Sequence, residues 1–176
     1  MGSAELPQVR CEVLVRAAVA RVWDLVTDIH LPARLSPELQ RVAWLDGVPG
    51  PAVGARFEGH NSHRLLGEWR TVSQVVRLEE HRVFAWAVLD ADGRFGEPTL
   101  DPARALASWC YELEADGDGT RLRQTAVLGP GRSGVTLAVE RMPDREKEIV
   151  AMRLEELRAG IEGTLRGIEE LAERAG

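Results

Sequence analysis

The chain is sparing with cysteine, histidine and tyrosine, of which it has two, four and one. Cys11 and Cys110 are far apart, show no Cys-x-x-Cys spacing and lie in strand-like apolar surroundings. They read as two buried free thiols. His60 and His63 are close in sequence, but no Cys, His or Asp pattern accompanies them, so no metal is expected. His30 follows Asp28-Ile29 and could act as a general acid or base; an exposed loop histidine is the simpler expectation. Arg34 is expected to make a surface ion pair. There is no Gly-x-Ser-x-Gly elbow for a nucleophilic serine. The run Gly129-Pro130-Gly131-Arg132-Ser133-Gly134 lacks the Gly-Lys-Ser/Thr ending of a phosphate loop and is expected to be a hinge. No cofactor is expected.

These groups depend on the elements that carry them. Val9, Cys11, Val13 and Val15 alternate with Arg10, Glu12 and Leu14, which predicts a strand. Val19, Val22, Trp23 and Val26 have helical spacing within a helix predicted over 18–28. Pro32 and Pro37 limit the next helix to about 31–36. Further strands are predicted over 39–45, 55–62, 69–78, 82–89, 106–113 and 120–128, about seven in all. A Pro- and Gly-containing loop covers 90–103, and Asp116-Gly117-Asp118-Gly119 gives a hairpin turn. A short helical piece over 135–142 precedes the last element. From Asp144, read as an N-cap, the period becomes 3.6: Ile149, Met152, Leu154, Leu157, Ile161, Leu165, Ile168 and Leu171 form one stripe. Glu162–Arg166 and Glu170–Arg174 are spaced as favourable pairs. At 1.5 Å per residue a helix of about 30 residues is roughly 45 Å long. It would cover the apolar face of an antiparallel sheet, and a ligand would sit wherever side chains fail to fill the space between them.

The 176 residues are expected to form one domain over 1–176, with its core at about 8–173. A hydrophobic share of 44% with 28% charged residues excludes a disordered chain. The net charge of −6 argues against a nucleic-acid binder. Of the 22 basic residues only Lys147 is lysine, a bias read as base composition rather than phosphate recognition. No apolar run reaches the ~18 residues of a membrane span, and Met1–Glu5 shows no signal peptide. A cytoplasmic protein is expected. The charged outer face of the long helix favours a monomer or a homodimer formed through the sheet.

Together with this order of elements, several local sequences carry a family resemblance. They are Ala20-Arg21-Val22-Trp23-Asp24-Leu25-Val26-Thr27-Asp28, Val53-Gly54-Ala55-Arg56-Phe57-Glu58-Gly59-His60-Asn61, Trp69, Phe84-Ala85-Trp86, Trp109-Cys110-Tyr111-Glu112-Leu113 and Gly119-Thr120-Arg121-Leu122. From about residue 8 to 173 the chain resembles the START-like (SRPBCC) superfamily, in its polyketide cyclase/dehydrase and lipid-transport branch. The resemblance implies an α+β helix-grip fold: a strand, two short helices, six further strands and a long C-terminal helix over a hydrophobic cavity. Relatives of this kind include aromatase/cyclases, lipid and hormone binders, and chaperone activators.

The resemblance also turns the Trp69, Thr71 and Ser73 face of its strand toward the cavity. Aromatase members tend to carry an arginine where this chain has Ser73, and a hydroxyl cannot supply a fixed positive charge to a developing enolate. Phe57, Gly59 and Asn61 share a phase; Gly59 leaves either room for a ligand or a bulge, and Asn61 could orient a carbonyl or hydroxyl. Glu58 and His60 then face solvent. Trp23, Trp86 and Trp109 are expected in the core, with Trp86 also a candidate contact, and Trp69 is the candidate for stacking on a ligand. Tyr111, in phase with Trp109, could donate a proton, and Gln124 could add a polar group to the wall. The candidate ligand-binding set is therefore Phe57, Asn61, Trp69, Thr71, Ser73, Trp86, Tyr111 and Gln124. Three functions fit: a binder of an apolar, polyketide-like, polycyclic or lipid molecule; a polyketide cyclase/dehydratase; or a protein-interaction module with a filled cavity.

Overall fold

A computed structural model describes residues 5–174; Met1–Ala4, on which most of the signal-peptide reading rests, lie outside the described residues. The chain runs β1 (Gln8–Val15), α1 (Val19–Val26), α2 (Leu31–Leu35), β2 (Leu39–Trp44), β3 (Arg56–His63), β4 (Gly67–Glu79), β5 (Val83–Leu89), β6 (Ala107–Asp116), β7 (Gly119–Leu128), α3 (Gly134–Arg141) and α4 (Glu146–Arg174). Short 3₁₀ turns at Pro102–Arg104 and Pro143–Arg145 precede β6 and α4. All neighbouring strands are antiparallel, in the order β1-β7-β6-β5-β4-β3-β2. This is the helix-grip fold: one sheet of seven strands around a long C-terminal helix. Among the described residues no helix is long and apolar enough to cross a membrane.

Local chemistry accounts for each element. In β1, Val9 and Val15 are buried while Gln8, Arg10, Glu12 and Leu14 are exposed, the alternation of a half-buried strand. α1 buries Val22, Trp23 and Val26 and ends where the Thr27 hydroxyl donates to the Trp23 carbonyl at 2.8 Å. The β6–β7 turn has two residues between Asp116 and Gly119, and Gly117 supplies the positive φ of +59° that such a turn requires.

The long helix departs from its expected start. Pro143–Arg145 forms a 3₁₀ turn, so Asp144 is not an N-cap, and α4 has 29 residues, about 44 Å. Its buried stripe runs through Leu157, Ile161, Leu165, Ile168 and Ala172. Met152, expected on that stripe, is 52% exposed. It lies five positions before Leu157, which places it about 140° away around the helix. Of the two expected helical ion pairs, Glu170–Arg174 closes at 4.0 Å. Gly167 lets α2 approach, since a Cβ there would lie 2.6 Å from Leu35 Cδ2.

The main core gathers around the C-terminal half of α4, where β1, α1 and the inward residues of β7 meet it. The N-terminal half, from Arg153 to Ile161, faces open space instead. The loop after β5 helps to enclose that space. Asp90, only 5% exposed, accepts the Arg94 and Phe95 backbone N–H groups at 2.8 and 2.9 Å. This turns Phe95 inward. Arg132 then ties the loop to the segment before α3, donating to the Phe95 carbonyl at 2.9 Å and to both Glu140 oxygens.

Candidate ligand-binding cavity

Strand register lines up two rows of inward side chains beneath α4. One row runs Phe57, Ser73, Val88, Ala107 and Leu128, the next Val75, Trp86, Trp109, Ala126 and Val9. Between these rows and the N-terminal half of α4 lies a cavity of about 190 Å³. That is larger than the ~150 Å³ apolar cavity that holds benzene and smaller than the ~300–1,000 Å³ of sites for drug-sized ligands.

The cavity wall is aromatic. Trp86 and Trp109 lie nearly parallel, 10° between planes and 6.3 Å between centroids, and Phe57 and Phe84 stand against Trp86 at 6.3 and 5.1 Å. Trp69 meets Phe95 edge-on at 6.2 Å nearer the outer end of the sheet. A polar strip interrupts this wall on β3 and β4. Thr71 and Ser73 are buried, and Asn61 Nδ2 donates to Thr71 Oγ1 at 3.4 Å. Gly59 sits in the same wall, paired with Val42 one register position beyond the β2 bulge, with the Leu39 side chain filling part of the room it leaves.

Of the eight candidate residues, Phe57, Asn61, Trp69, Thr71, Ser73, Trp86 and Gln124 line the cavity. Tyr111 does not. It shares a face with Trp109 but sits one row deeper, fully buried in the core cluster that includes Val22, Trp23 and Val26, with its ring 5.7 Å from Trp86. Burial pushes its hydroxyl pKa well above the usual tyrosine value, so it stays protonated. Trp109 and Trp86 are half-buried cavity walls rather than closed core, whereas Trp23 is core. His30 is exposed, and Arg34 pairs with Asp28 at 3.9 Å on the surface. Both cysteines are free but only half-buried: Cys11 points toward Arg158 of α4, and Cys110 lies on the outer face of the sheet, its neighbours Trp109 and Tyr111 pointing inward.

The sequence reading missed a charged cluster at one edge of the cavity. Arg153 of α4 donates to both Glu38 oxygens at 2.5 and 3.0 Å and to Glu156 at 3.3 Å. Burial opposes the Arg153 charge, but the Glu38 hydrogen bonds and both carboxylates outweigh it and hold the guanidinium pKa above its ordinary value. His63 Nδ1 accepts the Leu65 and Leu66 backbone N–H groups at 3.0 and 3.3 Å. The ring proton is therefore on Nε2, which donates to Glu156 Oε2 at 2.5 Å. Glu38, His63 and Glu156 bring three ligand atoms within 4.8 Å of one another. Arg153 already places a cation among them, and a metal would have to displace it. One signal for the cluster was present: Arg153 occupies the position four before Leu157 and eight before Ile161, a charge in line with an apolar stripe.

Residues 7–162 match the family described as "Polyketide cyclase / dehydrase and lipid transport". A comparison with curated protein sequences gave no match. Among solved structures, the chain is similar to the Polyketide_cyc-like protein Cgl2372 from Corynebacterium glutamicum, with 26% identity, a TM-score of 0.65 and coverage of 97% of this chain and 94% of that one. It is also similar to the Zhui aromatase/cyclase from Streptomyces sp. R1128, with 18% identity, a TM-score of 0.64 and coverage of 97% and 95%. The di-domain ARO/CYC StfQ from the steffimycin biosynthetic pathway matches with 13% identity and a TM-score of 0.71, over 97% of this chain and 52% of its own. The last two likenesses concern the fold alone. Together with a match over most of the sequence, the seven-stranded grip around α4 places this chain in the polyketide cyclase/dehydrase and lipid transport family.

Proposed function

We propose that this protein binds a small, planar, apolar molecule between its sheet and α4, acting in the cytoplasm as a monomer or homodimer. The observation that carries this reading is the parallel Trp86–Trp109 pair forming the wall of a 190 Å³ cavity. Flat aromatic walls favour flat ligands, and burial contributes roughly 25 cal/mol per Å² of apolar surface removed from water. The volume suits one or two fused rings; a larger polycycle would require the cavity to widen. A protein-interaction module with a collapsed interior fits this open volume poorly.

Native mass spectrometry of protein purified from its producing organism, followed by denaturing release, should yield a stoichiometric apolar molecule. Naphthalene added to emptied protein should bind, and Trp69→Ala should weaken it several-fold without unfolding the chain. A protein that arrives empty and takes up no naphthalene is not a binder of this kind. The cyclase/dehydratase reading is supported by one feature: Glu156 lines the cavity and is hydrogen-bonded to His63, an oriented acid/base pair. With Ser73 where the aromatase arginine would stand, such chemistry would depend on α4 rather than β4.

A further inference from the structure

Gln124 on β7 lines the cavity, is 5% exposed, and its Oε1 is the one buried side-chain oxygen or nitrogen without a hydrogen-bond partner among the described residues. Its cross-strand neighbours are Tyr111 and Cys11, and neither is bonded to that oxygen. Phe84, Leu157 and Ile161, which line the same cavity, carry no side-chain donor. A buried acceptor left without a donor is costly, and the great majority of such groups in folded proteins find a partner. By contrast, the charged groups of the Arg153 cluster, which line the same cavity, find their partners within the chain.

We infer that the ligand carries a hydroxyl or N–H donor on its leading edge and that Gln124 accepts it, making this amide the residue that selects hydroxylated or amino-substituted planar molecules over plain hydrocarbons and ethers. The polar strip of Asn61, Thr71 and Ser73 lies on β3 and β4, and β7 is three strand spacings from β4, about 14 Å along a flat sheet. The two polar regions therefore address opposite edges of a flat molecule, with Trp86 and Trp109 between them. A site built to bond a donor rejects the analogue lacking it, because its own buried acceptor then stays unpaired.

This inference rests on the cavity being a ligand site, and the experiment separates the two. Dissociation constants of 2-naphthol, which donates, and 2-methoxynaphthalene, which does not, are measured by tryptophan quenching on wild type and on Gln124→Met. Gln124→Leu is the second variant should Gln124→Met fold poorly. The ratio of the two constants should favour 2-naphthol about tenfold more in wild type than in the variant, equivalent to about 1.4 kcal/mol. Comparing that ratio between wild type and variant cancels the difference in desolvation of the free probes. An unchanged ratio, with both probes bound, overturns the role of Gln124 and leaves the cavity reading standing. If neither probe binds either protein, the cavity reading falls and this inference with it.

Discussion

Replacing Arg153 tests whether the charged cluster holds the cavity edge together. The guanidinium joins α4 to Glu38, just ahead of β2, through two bonds of 2.5 and 3.0 Å, and reaches Glu156 at 3.3 Å. Their side chains are only 15% and 23% exposed, so the pair is neither a surface ion pair nor a sealed one. Charge-assisted hydrogen bonds contribute roughly 1.5–3 kcal/mol each where buried. Discounting two of them by about half for solvent contact gives a coupling of about 2 kcal/mol. Arg153→Met alone should cost about 2–3 kcal/mol, since it leaves two carboxylates facing each other, and at ~2–4 °C per kcal/mol for a chain this size Tm should fall roughly 5–10 °C. The assay is a double-mutant cycle of Arg153→Met and Glu38→Gln, with urea unfolding followed by tryptophan fluorescence at pH 7. Raising salt from 0.1 to 1 M should leave most of the coupling in place, because shielded pairs are weakly screened. A coupling under about 0.5 kcal/mol, within ordinary additivity, would refute the assignment and make the cluster a solvated surface feature.

Two further outcomes follow from burial. Ile161 is 1% exposed at the centre of the α4 stripe, so Ile161→Asp buries an unpaired charge whose cost rivals the ~5–15 kcal/mol that holds a domain together. Far-UV circular dichroism should show an unfolded variant, Ile161→Val losing only about 1 kcal/mol; a folded, soluble Ile161→Asp would put α4 outside the core. Burial, reinforced by the Glu112 charge, pushes the Cys110 thiol up to about 11. Only about a thousandth is thiolate at pH 8, so iodoacetamide should label Cys110 slowly, about tenfold faster per pH unit, and readily once urea unfolds the chain; labelling at the rate of a free thiol at pH 8 contradicts the burial.

The order of elements was legible because each carries its own period: two in β1, where Val9 and Val15 are buried, and 3.6 in α4, where Leu157, Ile161, Leu165 and Ile168 are. A period reports which face a residue occupies, not how far along that face it lies. Trp109 and Tyr111 share a face of β6, yet the first lines the cavity and the second is closed into the core with Val22, Trp23 and Val26. Which of them meets open space depends on where helices from distant sequence cross the sheet. Phe95 was invisible for a different reason. It lies in a Pro- and Gly-containing loop without periodicity, and what turns it inward is the Asp90 carboxylate accepting two backbone N–H groups. His63 and Glu38 belong to the same class, since their meeting with Glu156 is fixed by tertiary geometry alone.

The two walls of the cavity therefore divide the functional question. The sheet wall offers rings, an Asn–Thr hydrogen bond and one unsatisfied amide, groups that orient a flat molecule but cannot carry charge or move a proton at neutral pH. Among the described residues, every ionisable group lining the cavity comes from α4 or from the segment between α1 and β2: Arg153 and Glu156 on one side, Asp28 and Glu38 on the other. Arg153 is already committed to both glutamates, and His63 can give Glu156 only the single proton on Nε2 because its other nitrogen is held by backbone. Acid/base help to a ligand must come from that side, where Glu156 Oε1 accepts no hydrogen bond among the described residues because His63 and Arg153 both donate to Oε2. Binding draws instead on the sheet wall, through its aromatic rings and Gln124, and needs no proton transfer. That division lets the two activities be probed apart: binding at Trp69 and Gln124 on the sheet, proton transfer at Glu156 on α4.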